Sequence, residues 1–118
     1  MALEKNKLKK SLKMLEEALK KFRDKDELSF LTVAKAFEIA VEYSWRELRR
    51  MIEDEGLDAP SPKAAIREAA RIGKIDNTEN WIEYIDARNA GVHDYFGIGN
   101  KEYVDIAREF LVVAKKTF

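Results

Sequence analysis

The chain is 118 residues long, the size of one domain, and 46% of it is hydrophobic, enough to bury a core without covalent staples. It has no cysteine and a single histidine, which excludes a disulfide framework, a thiolate metal site and a His-rich zinc site; no metal ligand set and no cofactor are expected. The 22 basic and 22 acidic side chains cancel, so average charge names no partner. The apolar runs are too short to span a bilayer and no secretory pattern opens the chain, so the expectation is a cytoplasmic protein with no membrane association.

Charge is nonetheless unevenly spread. Residues 1–25 carry nine Lys/Arg against four Asp/Glu, whereas residues 76–109 carry three against eight. Two readings follow: solvated helix faces of opposite sign that attract within one bundle, or a basic region that meets a polyanion or an acidic partner.

Apolar spacing is helical throughout. Leu8, Leu12, Leu15, Leu19 and Phe22 predict a first helix over about residues 3–23, ended by the polar turn Asp24-Lys25-Asp26. A second, longest helix is predicted over about 27–55. Its main stripe is Phe30, Ala34, Phe37, Val41, Trp45, Leu48 and Ile52. Leu31, Ile39 and Tyr43 lie off that stripe, so this helix is either central in its bundle or has its back against a partner chain. Glu42/Arg46 and Arg50/Asp54 are i,i+4 pairs, and Gly56 suits the position after the last turn.

Ser61-Pro62 predicts the start of a short helix with Ala65, Ile66, Ala69 and Ala70 as its packing face, ended at Gly73. Asp76 with Glu79 predicts a capping box for a fourth helix that turns Trp81, Tyr84, Ile85 and Val92 inward. Phe96-Gly97-Ile98-Gly99 reads as a loop. Asn100 is then expected to cap a last helix with Tyr103, Ile106, Phe110, Val113 and Phe118 as its apolar face. The sum is an all-α, antiparallel up-and-down helical bundle, four long helices plus one short, forming a single domain over 1–118.

One stretch departs from this pattern. Arg88, Asn89, His93 and Tyr95 fall within eight residues, with Gly91 among them. Arginine, imidazole and hydroxyl together suit phosphate chemistry without a metal. Histidine takes and gives a proton near neutral pH, and arginine holds a phosphate and the charge that grows on it. On RNA the 2′-OH would be the nucleophile and a cyclic phosphate end would remain. The bland alternative is equally concrete: a histidine near a helix end acting as a C-cap donor, and Arg88 paired with Glu83, Asp86 or Asp94. If the fourth helix continued through His93, Asn89 and His93 would share a face, but Arg88 and His93 would sit about 140° apart around the axis. A second copy of the chain, or an early turn at Gly91, would then be needed to bring them together. Tyr95 reads either as a ring packed at the helix end or as an exposed hydroxyl that a partner modifies. Trp45 and Trp81 read as core.

Arg88-Asn89-…-His93-Asp94-Tyr95 resembles the Arg-x4-His-x-Tyr motif of HepT-type toxins in the HEPN superfamily. Phe37-Glu38-Ile39-Ala40 with Trp45 and Leu48 resembles the second-helix signature of the nucleotidyltransferase substrate-binding protein family. Ser61-Pro62-Lys63 with Ile66-Arg67-Glu68-Ala69 resembles its short helix, and Trp81 with Arg88-Asn89 its fourth. The resemblance covers about residues 30–96 and implies a HEPN-like bundle that forms a homodimer and partners a cognate minimal nucleotidyltransferase. In a HepT-like member the chain would be a metal-independent endoribonuclease toxin acting on RNA. Arg88 would bind phosphate, Asn89 would orient or polarise, His93 would be the acid/base, and Tyr95 would be the hydroxyl to which the partner transfers AMP. The alternative is a non-catalytic substrate-binding subunit of a two-component nucleotidyltransferase; a bare structural dimer is a third reading.

Overall fold

Helix α2, Glu27–Asp54, touches each of the other four helices. The structure is a computed structural model that describes the backbone of residues 2–93 and 100–118 and the side chains of residues 5–90 and 101–118. Around α2 stand α1 (Ala2–Lys21), α3 (Pro62–Arg71), α4 (Thr78–His93) and α5 (Asn100–Thr117). α1 and α4 each also pack on α5, so α1, α2, α4 and α5 close a four-helix ring, and the short α3 lies against α2 and α4. The body measures 47 × 27 × 21 Å. No helix among the described residues is long and apolar enough to cross a membrane.

Local chemistry sets the helix ends. Asp26 caps α2, its carboxylate accepting from the backbone N–H of Leu28 at 3.1 Å and of Ser29 at 3.2 Å. The Ser61 hydroxyl accepts from Ala64 N at 3.2 Å, and Pro62 follows where its missing N–H costs nothing. Gly56 and Gly73 sit at φ +79° and +80° and close the same motif twice. After α2, Gly56 N donates to Glu53 O and Leu57 N to Ile52 O; after α3, Gly73 N donates to Ala70 O and Lys74 N to Ala69 O.

The core is knitted by edge-to-face rings drawn from α2, α4 and α5. Phe37 meets Tyr103 and Phe110, and Phe110 meets Tyr84 and Trp81, with centroids 5.3–5.8 Å apart. Leu8, Leu12, Leu15 and Leu19 close the bundle from α1, while Phe22 packs at its edge. On α3 the buried residues are Ala65, Ile66 and Ala69, whose small size lets that helix lie close.

Three expectations are corrected. The capping box at Asp76 does not set the start of α4: the helix begins at Thr78, and the Asn77 carbonyl accepts from Trp81 N at 3.2 Å. Ile75 is buried in the core and holds the preceding segment outside helical geometry. On α5 the buried face is Tyr103, Val104, Ala107, Phe110, Leu111 and Ala114, with Ile106 and Val113 only at its margin. Trp45 is half-buried rather than central, and its indole Nε1–H has no partner among the described residues. The basic and acidic stretches form no direct ion pair with each other among the described residues. The ion pair that joins α1 to α5 is Glu16 with Lys115, the reverse polarity, and no α1 lysine pairs with residues 76–109 among the described residues. Val92, the 96–99 loop and the Asn100 cap fall outside the described side chains.

Candidate functional site

Trp81, Tyr84 and Ile85 form the buried stripe of α4, at positions i, i+3 and i+4. Position i+7 of the same stripe is Arg88. A guanidinium on a core stripe must find an acceptor or pay for desolvation, and Arg88 crosses to α2 to find one. Its Nη2 donates to Glu42 Oε1 at 2.5 Å, and Nη1 donates to the Asn89 side-chain oxygen at 3.3 Å. The other oxygen of Glu42 accepts from Arg46 Nε at 2.9 Å. Glu42 thus bridges two arginines on neighbouring helices. Arg46 in turn lies 5.9 Å from the Tyr43 ring centroid, within cation–π range. Glu38, Ile39, Glu42, Tyr43, Arg46 and Arg88 line a cavity of about 220 Å³ between α2 and α4.

Satisfaction at this site is incomplete. Arg88 Nε is buried and has no hydrogen-bond partner among the described residues. A buried donor left unpaired costs on the order of 1–3 kcal/mol, and more when the group is charged. The arrangement can therefore accept an anion: two guanidiniums of planar, bidentate geometry face one cavity, with one carboxylate shared between them.

Arg88, then, is where the sequence motif meets the fold, and its partner is neither Glu83 nor Asp86. Asp86 instead pairs with Lys63 of α3 at 2.8 Å. Asn89 is exposed, touching the site only through Arg88. α4 stays helical through Gly91 and ends at His93, so no early turn occurs there. Positions 88 and 93 are consequently about 140° apart around one helix axis. The side chain of His93, together with Asp94 and Tyr95, lies outside the described residues. Sequence reasoning missed the Arg88–Glu42 pair, which spans 46 residues of chain. The signal was present in the stripe: an arginine seven positions after Trp81 must be matched by an acid on the facing helix.

Two other polar networks have their groups satisfied. Glu47 is buried on α2 and receives two bonds of 2.8 Å from Arg50, which hold its carboxyl below the usual range. Tyr84 donates to Glu109 at 3.1 Å; burial, then that bond, push the phenol up. Among the described residues no group of three or more His, Cys, Asp or Glu is placed to hold a metal ion.

The bundle has relatives. A crystal structure of a protein from Thermus thermophilus superposes with a TM-score of 0.83, covering 93% of this chain and 94% of that one at 23% identity; the likeness is one of fold. No curated protein matches the sequence. The family model described as nucleotidyltransferase substrate binding protein like matches residues 3–117, nearly the whole chain. The chain therefore belongs to the nucleotidyltransferase substrate-binding protein-like family.

Proposed function

We propose that this chain acts beside a cognate minimal nucleotidyltransferase as a HepT-like toxin, a metal-independent endoribonuclease that the transferase silences by adenylylating Tyr95. The observation that carries the proposal is Arg88 itself: a guanidinium whose buried Nε has no partner among the described residues, beside a cavity it lines together with Arg46. An RNA phosphate entering that cavity displaces Glu42 and takes both guanidiniums. Because one α4 sets positions 88 and 93 about 140° apart, His93 is supplied from a second copy in a homodimer. Its imidazole removes the 2′-OH proton, the 2′-oxygen attacks phosphorus, the bond to the 5′-oxygen breaks, and a protonated imidazole returns a proton to that leaving oxygen. Arg88 holds the charge that builds on the phosphoryl oxygens, and Asn89 orients it.

The second reading is a non-catalytic substrate-binding subunit of the same transferase. The closed Arg88–Glu42 pair favours it, since that pair neutralises Arg88 without any ligand. One experiment separates the two: RNA cleavage by the unmodified chain in EDTA, beside Arg88→Ala and His93→Ala, with product ends analysed. Cleavage that persists in EDTA, leaves a cyclic phosphate and disappears in both variants supports the ribonuclease. No cleavage from a chain whose Tyr95 is free of AMP by mass spectrometry supports the substrate-binding subunit.

A further inference from the structure

Five large apolar side chains are exposed among the described residues, and four of them line one groove between α1 and α2. They are Met14 at 57% exposure, Leu28 at 76%, Leu31 at 41% and Ile39 at 37%. The groove encloses about 1080 Å³. Its α2 wall runs from Leu28 to Ile39, roughly 16 Å or three helical turns. Single exposed apolar residues need no explanation, but a contiguous set of this kind marks a contact surface.

The rim decides what the contact is. Lys10, Lys13, Lys21 and Lys35 line the same groove, and Glu17 is its one acid. A second copy pressed on through the same groove would bring the same lysine-rich lining with Glu17 as its one acid, so an occupant that carries its own carboxylates is the better match. A nucleic-acid backbone has no use for a floor of leucine, isoleucine and methionine. We infer that the α1–α2 groove docks an amphipathic α-helix of a partner protein, one whose apolar stripe is flanked by acidic side chains. Three turns of leucine-like side chains fill the floor, and carboxylates on both flanks meet the lysine rim.

The test uses the full chain and two labelled synthetic helical peptides of about 18 residues, roughly 27 Å long. Both carry the same leucine stripe; one is flanked by glutamate and the other by lysine. Fluorescence anisotropy is expected to show the glutamate peptide binding at least about tenfold more tightly. Leu28→Ser with Leu31→Ser, both at exposed positions, is expected to weaken it about tenfold through lost apolar contact. Lys13→Glu with Lys35→Glu is expected to reverse the preference between peptides. Equal binding of the two peptides overturns the proposal. So does preferential binding of the chain to anionic phospholipid vesicles, or a dimer that dissociates in sedimentation when Leu28 and Leu31 become serine. None of the substituted residues lines the Arg88 cavity, so the groove stands or falls separately from the ribonuclease reading.

Discussion

Among the carboxylates of helix α2 that hold arginine, Glu47 and Glu42 are built differently. Glu47 is 5% exposed and closed by Arg50 three residues further along the same helix, through two 2.8 Å bonds. Arg50 also holds Asp54 at 2.6 Å. This pair is local and forms wherever α2 forms. Glu42 reaches across to Arg88 on α4, shares itself with Arg46, leaves Arg88 Nε without a partner among the described residues, and borders a cavity. The difference teaches which pair is structural and which is exchangeable. A saturated pair has nothing to gain from a ligand, whereas an under-satisfied pair beside a cavity gains a bidentate acceptor when an anion replaces its carboxylate.

That contrast can be broken at several points. Neither pair should matter to the fold as much as the rings between α2, α4 and α5. Phe110→Ala, which removes the ring shared by Phe37, Trp81 and Tyr84, is expected to cost about 3–5 kcal/mol in urea unfolding. Arg88→Ala is expected to lower RNA cleavage by about 100-fold or more, while thermal unfolding moves by no more than about 1 kcal/mol because Glu42 keeps Arg46. An equal loss of stability and activity would mean that Arg88 is a strut.

Glu47→Ala should show the opposite profile: about 1–3 kcal/mol of stability lost, with cleavage unaltered. Its pH dependence sharpens the point. Arg50 holds the Glu47 carboxyl below its ordinary value of 4.5, so below that pH the unfolded chain binds more protons than the folded one. The contribution is complete above pH 4.5 and is lost as pH falls through the lowered folded value. Acid titration of unfolding should therefore be shallower in Glu47→Gln than in the unmodified chain. Glu42→Gln is the mildest change for the fold, worth at most about 1 kcal/mol.

The parts of this molecule that depend on neighbours in sequence were legible there. The α1 leucine stripe, the Ser61-Pro62 start, the ends at Gly56 and Gly73, and the Glu42/Arg46 and Arg50/Asp54 pairs all rest on residues within a few positions of one another. The start of α4 was misjudged because Ile75, a tertiary core contact, overrides the cap signal at Asp76. In the site, Arg88 was legible as a residue of interest but its partner was not, since Glu42 lies 46 residues away and only the packing of α4 on α2 joins them. The off-stripe residues Leu31 and Ile39 were visible in the spacing. Their shared groove with Met14 and the lysines depends on how α1 rotates against α2, which periodicity does not fix.

The most direct test of the exchangeable pair is binding of a 2′-O-methyl oligoribonucleotide, which resists cleavage, to the unmodified chain, to Glu42→Gln, and to Glu42→Gln with Arg88→Ala. If Glu42 occupies the place of a phosphate, the single variant binds about three- to tenfold more tightly, and the added Arg88→Ala abolishes the gain. Unchanged or weaker binding by a folded Glu42→Gln would contradict the account, and Glu42–Arg88 would join Glu47–Arg50 as a structural pair.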